Sequence, residues 1–134
     1  MEPSKNFTEN RIATIVVDAA YRIHKQLGSG LLESVYQKIL KGELDRLGLS
    51  VESEVILPVK FNGNLVDAGY RADIIVEKKV LIELKAVQKL MITHKQQLLT
   101  YLKLSDIKLG LLINFGSPLI KDGIKRVVNG LKED

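Results

Sequence analysis

Val80-Leu81-Ile82-Glu83-Leu84-Lys85-Ala86-Val87 is an apolar, strand-forming run broken by two charges of opposite sign. Alternate side chains of an extended chain share a face, so Glu83 and Lys85 project together. Burying charge is costly unless the groups pair or bind something. The plain reading is a structural Glu-Lys pair, and spacing alone does not decide, because Glu77-x-Lys79 and Asp106-x-Lys108 repeat it. Those two stand in polar, turn-like context where solvated charge is normal. Only Glu83 and Lys85 interrupt a core strand.

Immediately upstream, Ala72-Asp73-Ile74-Ile75-Val76 places a second carboxylate inside an apolar run, and Glu77-Lys78-Lys79 supplies a turn between the two. A two-residue loop at Lys78-Lys79 would pair Asp73 with Leu84 and send the two acids to opposite faces. A three-residue loop pairs Asp73 with Glu83 on one face, with Cβ atoms about 5 Å apart. The second register, or an equivalent bulge, is the one expected. Carboxylates that close repel unless they are protonated or bridged by a cation, and hard oxygen ligands suit Mg²⁺ or Mn²⁺.

Around this centre the periodicity gives the remaining elements. Ile12, Ile15, Val16, Ala19, Ala20, Ile23 and Leu27 recur at helical spacing between a cap at Thr8 and a stop at Gly28. A second helix carries Leu32, Val35, Tyr36, Ile39, Leu40, Leu44 and Leu47 and ends at Gly48. Val51 to Phe61 and Leu65 to Val76 read as extended, joined by the hairpin turn Asn62-Gly63. Thr93-x-x-Gln96 predicts a capping box opening a third helix, Leu109 to Phe115 a strand covered on both faces, and Ile120, Ile124, Val127, Val128 and Leu131 a closing helix. The expected order is ααβββαβα, a mixed α/β sheet flanked by helices.

The 134 residues, 46% of them hydrophobic, suffice for one domain over 1–134, with residues 1–8 expected as a flexible tail. There is no Cys, hence no disulfide framework or thiolate zinc site, and two distant His make a poor zinc set. His24 reads as a core-border residue and His94 as a helix-start polar residue. Neither a signal peptide nor a membrane span is visible, so no membrane partner and a cytoplasmic address are expected. A net charge of +4 leans toward polyanions such as nucleic acid, and an aromatic content of 5% makes backbone contact a better expectation than base stacking. Gly28-Ser29-Gly30 lacks the Lys-Ser/Thr ending of a phosphate loop and reads as an interhelical turn.

Three motifs together carry a family resemblance. Asp73, nine residues, then Glu83-Leu84-Lys85 resembles the signature of the PD-(D/E)XK nuclease superfamily. Gly30-Leu31-Leu32-Glu33-Ser34-Val35-Tyr36 is similar to the motif of the GxxExxY proteins, a small branch of that superfamily, and Gln97-Leu98-Leu99-Thr100-Tyr101 to the QxxxY helix of RecB-like nucleases. The resemblance runs from Ile12 to Asn129 and implies a restriction-endonuclease-like fold. It also implies Mg²⁺- or Mn²⁺-dependent hydrolysis of nucleic-acid phosphodiester bonds, with DNA the expected substrate, although composition does not separate DNA from RNA. By position, Asp73 and Glu83 would bind metal with the Leu84 carbonyl, and Glu33 would lend a further carboxylate to metal and catalysis. Lys85 would stand beside the attacking water or scissile phosphate. Ala72 occupies the place of the superfamily's Pro, a loosely kept position.

Each remaining candidate has a bland reading beside the functional one. An acid at Glu33 is favoured by the helix dipole alone. Gln97 and Tyr101, four residues apart, share a helix face that could simply be amphipathic; the resemblance gives Gln97 a catalytic role and Tyr101 a substrate contact. Lys121, Lys125 and Arg126 form a solvated helix face that can also touch a phosphate backbone. The alternatives to a nuclease are a non-cleaving nucleic-acid-binding module and a protein-interaction module on the same fold. A two-fold homodimer cutting both strands is the assembly suggested by the small size.

Overall fold

The computed structural model describes residues 7–132. Helix α1 (Glu9–Leu27) starts where the Thr8 hydroxyl accepts the Arg11 N–H at 3.1 Å, and it stops at Gly28, whose φ of 76° favours glycine. Of the tail expected over residues 1–8, positions 1–6 lie outside the described residues. Phe7 packs against the core, and its carbonyl accepts from Lys79 Nζ. Helix α2 (Glu33–Arg46) buries Tyr36, Leu40 and Leu44, a stride of one turn, beside the α1 stripe of Ile12, Val16, Ala19, Ala20 and Ile23.

Strands β1 (Val51–Ile56), β4 (Arg71–Val76), β5 (Val80–Lys85), β6 (Leu109–Asn114) and β7 (Ile124–Val128) form one sheet in the order β1-β4-β5-β6-β7. Only β5 and β6 are parallel, joined by the crossover helix α3 (Ile92–Ser105). A mixed sheet flanked by helices is therefore what the chain builds, as expected. Helices α1 and α2 cover one face and α3 the other, giving a core on each side. Residue 110 is glycine for a packing reason, since a Cβ there would meet Leu98 of α3 at 2.9 Å. A separate ribbon, β2 (Val59–Phe61) with β3 (Asn64–Val66), turns at Asn62-Gly63, where φ is 50° and 79°. The expected continuous strands thus break at Leu57-Pro58 and at residues 67–70. None of the helices among the described residues is long and apolar enough to cross a membrane.

Two further expectations are corrected. The closing segment is not a helix: a 3₁₀ turn (Ile120–Gly123) leads into β7, which pairs antiparallel with β6. Its apolar residues fit either period, and long-range pairing decides, because β6 is buried throughout and its outer edge needs partners for its main-chain groups. Val127 packs under α3 while Val128 is exposed. The third helix begins at Ile92, not Thr93, because His94 Nδ1 accepts the Met91 N–H at 3.0 Å and does the work expected of the Thr93 box.

Tyr36 joins the helical layer to the sheet. Its ring is fully buried and stacks on Phe115 at 4.4 Å and 6°, while its hydroxyl donates to Gly28 O at 2.6 Å and accepts the Leu31 N–H at 3.1 Å. Replacing it with Phe keeps the stack but strands two main-chain groups, so Tyr36→Phe is expected to lower unfolding stability by about 1–3 kcal/mol in urea titration.

Candidate active site

Strands β4 and β5 ladder through Val76↔Val80, Ile75↔Leu81 and Ile74↔Ile82 across the three-residue turn 77–79. The next step sets Asp73 opposite Glu83, the register in which the two acids meet. There the main-chain ladder stops and side chains take over. The Asp73 N–H donates to Glu83 Oε1 at 3.0 Å, and the Leu84 N–H donates to Asp73 Oδ2 at 2.8 Å. Each carboxylate replaces a carbonyl that the neighbouring strand would otherwise have offered. The decoy pairs, by contrast, lie in turns: Glu77 has φ 53°, and Asp106 caps α3 with φ 56°.

On its other side β4 is distorted at the same residue. Strand β1 pairs through Ser53↔Ile74 and Val55↔Ala72, skipping Glu54 and Asp73, and Glu54 has a left-handed φ of 52°. Ile74 and Val76 pack toward α1 and α2, whereas Ala72, at even spacing from both, packs toward α3; Val51 and Val55 divide the same way. A bulge-like switch of this kind re-aims one side chain. Here it releases Asp73 from the alternation of its strand, and no Gly or Asn at position 54 announces it.

Glu33 opens α2, and its charge reaches Asp73. One turn later Gln37 Nε2 donates to Asp73 O at 3.3 Å, tying the helix to the fork. Sequence reasoning missed Gln37, although its i+4 relation to Glu33 was readable. Lys85 shares the Glu83 face and acts on it through charge, but it is in no ion pair among the described residues. The chain beyond Lys85 is locked by buried Asn114, whose Oδ1 accepts from Val87 N and Gly116 N while Nδ2 donates to Val87 O. Gly116 is required here, because a Cβ would lie 2.4 Å from Val87 O.

From α3, Tyr101 faces Asp73 and Glu83, and its ionisation is opposed first by burial and then by the nearby Glu83 and Asp73 charges. Tyr70, also missed, lies against it with ring centroids 5.8 Å apart. Gln97 is exposed one turn before Tyr101. The basic trio does not assemble as a single face. Lys125 belongs to the row Glu83↔Leu112↔Lys125, two strands or roughly 10 Å from Glu83 on the α3 side. Arg126 lies toward α1 and donates to Asn10 Oδ1 at 2.6 Å, and Lys121 is exposed on the 3₁₀ turn.

Among the described residues no group of three or more His, Cys, Asp or Glu is close enough to hold a metal ion. The donor set is a pair, Asp73 and Glu83, with Glu33 and Glu54 acting on Asp73 at longer range. Such a pair suits a cation that keeps most of its waters and accepts one or two carboxylates, not a closed protein cage. Burial, reinforced by the Asp73 charge, pushes Glu83 up to about 8. Burial also raises Asp73, against the Leu84 N–H that favours its ionised form.

The folded, metal-free protein therefore keeps a proton on Glu83 that the unfolded chain releases near 4.5. Its stability is full below that value and falls as pH rises toward about 8. Thermal melts across this range are expected to drop by several degrees, and Glu83→Gln, which keeps an acceptor for Asp73 N–H, is expected to flatten the profile.

The sequence pattern of the PD-(D/E)XK nuclease superfamily matches residues 10–127. No curated protein matches the chain. Among solved structures it is similar to one described as the crystal structure of SSO0001, at 22% identity and a TM-score of 0.57, over 87% of this chain and 67% of that one. Identity at that level speaks for the fold alone. The family pattern, however, runs from α1 into β7 and takes in the acids where β4 and β5 part: the chain belongs to the PD-(D/E)XK nuclease superfamily.

Proposed function

We propose that this protein is a divalent-metal-dependent nuclease that hydrolyses nucleic-acid phosphodiester bonds, with Mg²⁺ or Mn²⁺ as cofactor and DNA as substrate. One observation supports the reading: two carboxylates end a core ladder by accepting from main-chain N–H groups, with an ammonium group on the same face that no ion pair among the described residues neutralises. A purely structural Lys85 would be expected to close onto Glu83. The GxxExxY and QxxxY resemblances support the same assignment. We take the described fold as one nuclease domain.

Asp73 and Glu83 would hold the cation, with the Leu84 carbonyl as a further oxygen donor and Glu33 reaching in through water. A bound divalent cation supplies a water of lowered pKa and polarises the phosphate. Lys85 holds the attacking oxygen near phosphorus and offsets negative charge as the new P–O bond forms and the bond to the leaving sugar oxygen breaks. Gln97 orients the nucleophile or scissile group, Tyr101 walls the site against water, and Lys125 lies where the flanking backbone would pass. Lys121 and Arg126 are assigned only general attraction for the polyanion.

Incubation with labelled DNA and RNA, with and without Mg²⁺ or Mn²⁺, is expected to give metal-dependent cleavage. Lys85→Ala and Lys85→Met are expected to lower the rate by about 10²–10³-fold. Both should retain the metal-induced rise in melting temperature, which corresponds to about 2.7 kcal/mol at a hundredfold excess over Kd. Asp73→Asn keeps an acceptor for the Leu84 N–H, so its metal-free form should melt within a few degrees of wild type while losing most of that rise. Indifference of wild-type melting and nucleic-acid integrity to both metals would transfer the assignment to a non-cleaving module.

A further inference from the structure

We infer that the β2–β3 ribbon is the element with which this protein grips duplex nucleic acid, entering a groove beside the Asp73–Glu83 site. This inference rests on the nuclease reading and deepens it. The ribbon is a direct outgrowth of the site. Beyond Ile56↔Arg71 the β1–β4 pairing continues in Leu57 N–H to Tyr70 O at 2.9 Å, three residues from Asp73, and Tyr70 leans on Tyr101.

Its surface is unlike that of a finished fold. Phe61 is 70% exposed, Leu65 69% and Val66 52%, and a lone two-stranded ribbon is marginal in water. The register Val59↔Val66, Lys60↔Leu65, Phe61↔Asn64 sets Phe61 and Val66 on one face and Leu65 with Lys60 on the other. A protein surface offers such a ribbon one wall, but a groove offers two. Three residues per strand reach roughly 10 Å, comparable to a major-groove depth of about 8.5 Å, and a two-stranded ribbon is among the shapes that groove admits. The tip, Asn62-Gly63-Asn64, presents amides that both donate and accept, and Lys60 is the one charge between Pro58 and Val66. That chemistry suits base edges between phosphate walls.

Phe61→Ala/Leu65→Ala and Asn64→Ala leave the Asn62-Gly63 turn intact, and each affects only exposed side chains. With the full chain, kcat/KM on a labelled duplex is expected to fall at least tenfold in the double variant, mostly through KM, and Asn64→Ala is expected to alter the pattern of cut positions. The metal-induced rise in melting temperature should be unchanged in both. If wild type cleaves duplex and both variants match it within twofold with the same cut pattern, the ribbon does not touch substrate, and this inference falls while the nuclease reading stands. A wild type that neither cleaves nor responds to metal removes both. A dimer by light scattering that the double variant converts to monomer would make the ribbon a contact between copies and overturn the groove assignment.

Discussion

Everything at the centre of this molecule follows from the need of buried main-chain N–H groups for acceptors. At Asp73 and Leu84 the sheet stops providing carbonyls, and two carboxylates provide oxygens instead. That exchange brings two like charges together inside a core, and the protein responds by keeping a proton on Glu83. An acidic pair that would be merely unfavourable elsewhere is here fixed by hydrogen bonds that the backbone cannot forgo. One oxygen of each carboxylate, Asp73 Oδ2 and Glu83 Oε1, is thus committed to holding the strand ends together.

Helix α2 reads that centre from the other side. Tyr36 fastens the Gly28 to Leu31 turn and stacks on Phe115, which sets where α2 begins. Gln37 then docks on the Asp73 carbonyl, and Glu33 takes its place one turn earlier. The Glu and Tyr of the motif spanning residues 30 to 36 consequently do different work: Tyr36 anchors the turn, and Glu33 adds field at the acids. Phe115 in turn follows Asn114, the residue that clamps the chain after Lys85, so both approaches to the fork converge on the short segment where β6 ends.

What the sequence made legible were features governed by local rules. A three-residue turn set the β4–β5 register that brings Asp73 beside Glu83, Thr8 and Gly28 bounded α1, and Asn62-Gly63 turned the ribbon. What stayed hidden depended on distant partners. Ile124 to Val128 fit a helix as well as a strand until the open edge of β6 is considered. The face switch at Glu54 and Asp73 leaves no mark in composition, because Glu is not a residue that signals a left-handed φ. Tyr70 is an unremarkable loop aromatic until the fold brings it to Tyr101. Lys125 and Arg126 looked like neighbours on one face, and strand alternation sends them to opposite sides of the sheet.

The fork is also assembled over very short stretches of chain. The hydrogen bonds that define it join residues only 10 and 11 positions apart, whereas β5 must wait for β6 to return through α3. Closing so small a loop takes far less entropy than docking a parallel partner, so the acids can find one another in the nascent hairpin before the sheet is complete. In kinetic terms the hairpin that carries the acids is the contact with the lower closure cost, and the parallel pairing of β5 with β6 is the costlier one.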